Sequence, residues 1–568
     1  MTRRPCTLLL SAALLLLAAA PLRAGTVSCT LQYALPADIP VPTSQADDST
    51  FQGFGWQTFL GLNAPSVGGQ ISTTGDNVPQ WAPWSSTVDL LLCQGTPTPP
   101  GCVCGSGGCS QAGTRYYPRV CQAVPDYQNY RIINQVGKVD DSFEEADTGG
   151  LSGDPVIDRF GNFLRYEILL SPATYDEIIA QQLYDERHLM ALTDNVNFAC
   201  GMSRYTGGDP ANPDMGALVV KVAWMDVTEA LQNGELDASM YHLEQLLVYD
   251  PGYRNSTGKA SCALRTLATV GLHFAHKTVN QPNWIWSTFE HSLNAPDCTG
   301  PMPAAGSPQA NTSCPASVAS NYNFYGELCN GTVQTCAACN APPAENGTCT
   351  NPSTTVGAGY CLDEPPATIE GISTLCRQVP IASYPEAAAW NSACQAAIGP
   401  ASVWSNYSLI SSQWGTSQIP AGCSNVAALI SGNAFSGGVN DSLILPKVLA
   451  GTQMKSLLAN TSMESYDRSN CIGCHSKAHI TNSAGNPLST DFMYFLQLQV
   501  SAPAVTRPAF ASGGQPTPRG GGDDDGCQVA GSRNDPAWWP LLAGAMAMLG
   551  RAARRRRRPL PVSASPWP

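Results

Sequence analysis

Twenty-two cysteines are spread through 568 residues, and their grouping limits what this chain can fold into. In a reducing compartment so many thiols would need metal ligation or redox work; in an oxidising one they become disulfides. Nine lie within 298–400 (Cys298, Cys314, Cys329, Cys336, Cys339, Cys349, Cys361, Cys376 and Cys394), and five in the Gly-rich loop 93–121 (Cys93, Cys102, Cys104, Cys109 and Cys121). Small and polar residues fill the gaps, so both stretches read as stapled loops with little core of their own. The "CAAC" at 336–339 sits in no strand–helix–strand pattern and reads as structural bridging rather than a redox dithiol. Apart from Cys6, Cys471, Cys474 and Cys527, which fall in other motifs, eighteen cysteines remain, enough for up to nine bridges of unassigned pairing.

The two ends set the compartment. Residues 1–24 read as a secretory signal peptide: Arg3 and Arg4, an apolar run over 8–20, and Ala24 at the expected cleavage point. The alternative is an uncleaved anchor, for which the run is short. Residues 506–526, including "ASGGQPTPRGGGDDDG", have too little apolar content to fold and read as a flexible linker. Residues 527–558 follow with "CQVAGS", the apolar "AWWPLLAGAMAMLG" and the basic "RAARRRRR". Trp538 and Trp539 suit a membrane interface and the arginines suit the cytoplasmic side. This order of parts resembles the myxobacterial C-terminal sorting signal. The resemblance implies removal of the tail at Cys527 and delivery to the cell surface or outer membrane; a plain tail anchor is the other reading. Without the basic residues of the two ends, about 21 Lys and Arg face 43 Asp and Glu. So acidic a body argues against nucleic-acid binding.

About 480 residues remain between signal and linker, long enough for a large core. Residues 25–297 read as a mixed α/β region. "ALVVKVAW" (217–224) alternates as a strand, with Leu218, Val220, Val222 and Trp224 on one face. "GNFLRYEILL" (161–170) follows the turn "DRFGN" like the second arm of a hairpin. "SPATYDEIIAQQLYD" (171–185) opens with Ser171 as N-cap and Pro172 in the first turn of a helix. "TVGLHFAHKT" (269–278) alternates again, which puts His273 and His276 on opposite sides. Residues 298–400 are the cysteine-rich segment, and 401–505 the region around the one motif that carries chemistry.

That motif is Cys471-Ile472-Gly473-Cys474-His475, the Cys-x-x-Cys-His attachment signature for c-type haem. Two thiols at this spacing can add to the two porphyrin vinyl groups, and the adjacent imidazole then reaches the iron as proximal ligand. With 22 Cys and 7 His, chance gives ~0.01 occurrences of this pattern, so composition does not explain it. The rivals are a zinc site, which needs two more ligands and reduced thiolates, and a Cys471–Cys474 disulfide. With haem, the expected fold class is α+β, loop-rich and disulfide-stapled, ending in a small helical cytochrome c-like haem segment.

Beyond the motif, the chain is similar to large, exported, single-haem cytochrome c proteins of proteobacteria. The similarity rests on "FGWQTFLGLNAP" (54–65), "ALVVKVAW" (217–224), "GLHFAHKT" (271–278), "WIWSTFEH" (284–291), "LANTSMESYDRSNCIGCHSKA" (457–477) and "TDFMYFLQ" (490–497). It implies haem binding and electron transfer and hands over no substrate. The distal iron ligand stays open: Met493 and Met463 are candidates, then His273, His276 or His291, or an open or water-bound iron. His479 follows the motif too closely to cross the haem plane. Trp56, Trp224, Trp284, Trp286 and Phe289 can line a pocket or anchor a core, and Glu290 and His291 can form an acid–base pair or stand apart. No catalytic residue is singled out. The expected function is an exported monohaem cytochrome passing single electrons to a redox partner or extracellular acceptor. The alternatives are a peroxidase- or oxidase-like haem enzyme and a cofactor-free, disulfide-rich surface binding protein.

Overall fold

The computed structural model describes residues 27–32, 34–40, 46–63, 78–87, 117–133, 155–184, 186–200, 215–250, 255–300, 313–315, 321–325, 339–340, 343, 360–364, 371–414, 458, 460–463, 471, 475 and 478–496. Cys474 and the segments read above as signal peptide, linker and sorting motif, with Cys527, lie outside them.

Eight strands form one sheet: β1 (Ser85–Ser86), β2 (Ile132–Ile133), β3 (Arg165–Leu170), β4 (Leu218–Asp226), β5 (Leu243–Asp250), β6 (Ser261–His276), β7 (Ile285–His291) and β8 (Tyr407–Trp414). β6 is its spine. Along one edge, residues 267–276 pair with β4. Along the other, residues 261–268 pair with β5 and residues 271–276 with β7, so β5 and β7 lie end to end. β3 and β1 continue beyond β4, β8 beyond β7, and β2 beyond β5. Only β2–β5 is parallel among these pairings. β4 is buried at every residue, which is why its sequence is a nearly unbroken apolar run.

The local expectations hold in detail. In the "DRFGN" turn the Asp158 carboxyl oxygen Oδ1 accepts the Phe160 and Asn162 N–H groups at 2.8 and 3.0 Å, and Ile157 bridges Phe163. The helix Pro172–Ala180 is capped by Ser171, whose hydroxyl accepts the Thr174 N–H at 3.3 Å. It ends short of residue 185, and Gln182 turns left-handed just past its end.

One face of the sheet carries Val220, Val222, Trp224, Leu272, Phe274 and Phe289. The helix Asp48–Leu62 covers it and is buried nearly all round, as its apolar sequence requires. Gly55 lets that helix approach the sheet, since a Cβ there would sit 2.5 Å from Ser412 Oγ. The helix Pro385–Ile398 packs on it in turn: Trp56 Nε1 donates to Asn391 Oδ1 at 2.9 Å, and Asn391 exchanges hydrogen bonds with the Leu409 backbone of β8. The end of the cysteine-rich segment therefore builds the main core, contrary to its reading as coreless loop. Large apolar side chains spaced among small ones conceal a helix that tertiary burial stabilises.

The opposite face is covered by residues 460–463 and 478–496. The expected small helical segment is not what the described residues of 401–505 mainly form. Residues 407–414 are a strand of the main sheet, and β9 (His479–Thr481) pairs with β10 (Pro487–Ser489) as a hairpin. Pairing with β7 and between β9 and β10 satisfies the backbone of these stretches.

Four disulfides are described: Cys29–Cys394, Cys121–Cys262, Cys298–Cys376 and Cys314–Cys339. The "CAAC" pair is thus not closed on itself, because Cys339 reaches Cys314. Cys29–Cys394 spans 365 residues and fastens the N-terminal strap to the helix Pro385–Ile398. Loop-closure entropy makes this the most consequential of the four described bridges: Cys29→Ala/Cys394→Ala should lower the unfolding free energy by about 3–5 kcal/mol, measured by guanidinium unfolding.

Candidate haem site

His475 lies over the sheet face opposite the helix Asp48–Leu62. Its ring packs on Trp286 of β7, with centroids 4.3 Å apart and planes at 40°, and Tyr494 closes another side at 5.4 Å. Its Nδ1 is 2.8 Å from the Phe492 carbonyl oxygen. A carbonyl only accepts, so Nδ1 carries a proton, and in the neutral form of the ring the lone pair is then on Nε2. A ligating histidine needs this tautomer, and bonding of the far nitrogen to a backbone carbonyl is a usual way of holding it. Cys471 is a half-buried thiol packed against the clusters on both faces, and its N–H donates to Gln413 Oε1 of β8 at 3.0 Å. Cys471 and His475 both have helical backbone. The described part of the motif therefore fits a haem c attachment site in ligand chemistry.

The carbonyl that holds His475 belongs to a strained turn. Asp491 and Phe492 have φ of +52° and +70°, consecutive left-handed residues without glycine. Such a conformation costs on the order of 1–3 kcal/mol per residue and persists only where the surroundings impose it. Here they do. The Asp491 carboxylate accepts Lys277 Nζ at 2.5 Å, the Phe198 N–H at 2.8 Å and Trp284 Nε1 at 3.2 Å. Lys277 also donates to Asn197 Oδ1 at 2.7 Å. Both charged side chains are 0% exposed. The sequence reading missed this pair. The available signal was a single Lys and a single Asp, each the one Lys, Arg, Asp or Glu of its stretch, "HFAHKTV" and "TDFMYF".

The second flanking segment, 460–463, covers the same face further along. Asn460 Nδ2 donates to Thr288 Oγ1 and the Phe289 carbonyl at 2.9 and 2.8 Å. The Glu290 carboxylate accepts the Thr461 N–H and hydroxyl at 3.0 and 2.7 Å and pairs with Arg377. Gly271 makes room, because a Cβ there would meet Ser462 Oγ at 2.1 Å. Between the two segments, on one face, runs the cross-strand row Lys221–His273–Thr288.

The sequence candidates divide accordingly. Trp284 and Trp286 stand with His475, whereas Trp56, Trp224 and Phe289 anchor the other face. Met493 follows Phe492 in the cluster beside His475; Met463 is buried in a separate cluster with Tyr166 and Val270. His273 faces the motif side, and His276 faces away, against Phe54 at 5.4 Å. Glu290 and His291 do not form a pair: Glu290 binds Thr461 and Arg377, while His291 Nε2 meets the Met240 carbonyl at 3.0 Å and Nδ1 accepts the Leu293 N–H at 3.1 Å. Adjacent strand residues point to opposite sides, which separates them.

Among the described residues no group of three or more His, Cys, Asp or Glu side chains is placed to hold a metal ion, and no helix is long and apolar enough to cross a membrane. A polar cleft of about 620 Å³ opens beside the 158–163 turn, away from the motif. Of its three arginines, Arg165 pairs with Asp250 and Arg265 with Asp226 and Glu229, while Arg159 donates to the Glu235 carbonyl at 3.1 Å. No protein-family model, curated protein or solved structure matches this chain.

Burial also sets the acid–base behaviour. It pushes His276 down to about 3 and His291 down to about 4, and lifts Asp158 to about 8. The unfolded chain protonates the histidines near 6.5, so their stabilisation is complete above that pH and is lost as pH falls, by about 1.4 kcal/mol per unit for each. The folded Asp158 keeps its proton up to about 8 where the unfolded one loses it near 3.8, so its contribution is lost as pH rises. Stability should peak near pH 6.5, and Asp158→Asn should flatten the alkaline side, read by denaturant titrations from pH 4.5 to 8.5.

Proposed function

We propose that this chain is an exported c-type cytochrome with one haem, joined through Cys471 and Cys474 and bound at iron by His475. The observation that carries the reading is the His475 Nδ1–Phe492 carbonyl bond at 2.8 Å, which presets the imidazole tautomer a haem iron requires. The haem would supply a reversible one-electron centre. The chain's own part is to attach it, to orient the imidazole with the Phe492 carbonyl, and to screen that ring from water with Trp286 and Tyr494. Described disulfides are in keeping with an oxidising compartment, and with the export that the terminal segments imply. The acidic body suits a basic redox partner or a cationic acceptor.

A second iron ligand would be sought in Met493 or Met463, in His273, or in solvent. The last choice favours a second reading, a haem enzyme acting on peroxide or another small substrate, because some 480 residues exceed what carrying an electron needs. Ferrous protein that binds carbon monoxide supports the enzyme; a fully low-spin ferric spectrum with no carbon monoxide binding supports the electron carrier.

The mature protein should be coloured and heavier than its polypeptide by one haem. Cys471→Ser/Cys474→Ser should abolish the haem band on a peroxidase-stained denaturing gel. Colourless wild-type protein with a mass accounted for by polypeptide alone would refute the haem and leave an acidic, disulfide-rich binding protein.

A further inference from the structure

The Lys277–Asp491 pair is buried at both ends and joins strands remote in sequence, the end of β6 and the turn after β10. Two charges taken fully out of water gain little net stability from each other. What this pair does accomplish is directional. Three donors from three places converge on one carboxylate: Lys277 just past β6, Trp284 just before β7, and the Phe198 N–H. The carboxylate is thereby immobile, and the residue bearing it opens the left-handed turn. The next carbonyl along the chain is the one that accepts His475 Nδ1–H. Trp284 itself has φ of +65°, so both partners in the Trp284–Asp491 bond sit in imposed conformations.

We propose that Lys277 and Asp491 are positioning residues for the iron ligand: their ion pair holds the 491–492 turn so that the Phe492 carbonyl meets His475 Nδ1, and this sets the donor strength of the imidazole and with it the haem reduction potential. The inference rests on the haem reading. A strong Nδ1–H···O=C bond adds electron density to the ring and favours ferric iron; a lost or lengthened bond favours ferrous iron. The pair is a device for keeping the potential low, at the expense of two buried charges.

The test is redox titration of the mature haem protein and three variants. Lys277→Met/Asp491→Asn removes both charges together and so leaves no lone buried ion, and the single amide oxygen of Asn can keep only one of the two remaining donors, because the Phe198 N–H and Trp284 Nε1 meet different carboxylate oxygens. It should retain covalent haem but shift the one-electron equilibrium toward the reduced form by about tenfold, which is 59 mV. Trp284→Phe deletes one neutral donor and should shift it the same way by less. Lys277→Arg keeps the cation and should stay near wild type. Wild-type potentials in both the double variant and Trp284→Phe would overturn the proposal and leave the pair a structural weld. Should the double variant fail to hold haem, Trp284→Phe decides alone: an unchanged potential there rejects the inference. A colourless wild-type protein is a separate result, which ends the haem reading and this inference with it.

Discussion

Backbone pairing along β6 is the constraint from which the rest of the described structure follows. A strand of 16 residues has two hydrogen-bonding edges, and here three strands share them. Because β4 takes one edge while β5 and β7 divide the other, a single sheet serves two purposes. Its β5 end joins the short strand β2, and its β7 end joins β8, on which Cys471 is tethered. Displacing β6 by one residue would exchange its two faces, sending His276 to the motif side and Ala275 into the helix layer.

The two faces are built by different means. On one, large aromatic side chains do the work: Trp56, Phe59 and Phe289 interlock with ring centroids 4.1–5.3 Å apart, and glycine allows the covering helix to come close. On the other, the cover is irregular chain held by polar contacts. Residues 460–463 are fixed through Glu290, Thr288 and Tyr166, and residues 478–496 through Asp491, Lys277 and the β9–β10 hairpin. Irregular backbone has no ladder of its own, so every buried polar group needs a specific partner. That requirement accounts for the buried Lys277–Asp491 and Arg377–Glu290 pairs on the motif side.

Legibility in the sequence followed the range of the interactions. The hairpin at 158–163, the Ser171 cap and the strands β4 and β6 depend on neighbours within a few residues, and alternation or capping chemistry disclosed them. The helix Pro385–Ile398 was hidden because its stability comes from Trp56, far away in sequence. Disulfide partners were hidden for the same reason: Cys339 bonds Cys314 rather than the nearer Cys336 of its own motif. Of the candidate site, Cys471 and His475 could be singled out from the sequence because the motif is defined by local spacing alone. The aromatic candidates were not, since nothing local tells which sheet face Trp224 or Trp286 occupies.

The sequence by itself determined the chemical types available to this protein: thiols and an imidazole at attachment spacing, an acidic body, strands of known period and cysteines in excess of any reducing role. Those are properties of residues and of short stretches. Only the tertiary structure decided that Trp286 lies under the imidazole, that Glu290 and His291 part company, and that a lysine and an aspartate 214 positions apart clamp the turn behind His475. The reason is that a carboxylate finds its cation, and a ring nitrogen its carbonyl, only after the sheet has brought distant segments to one face.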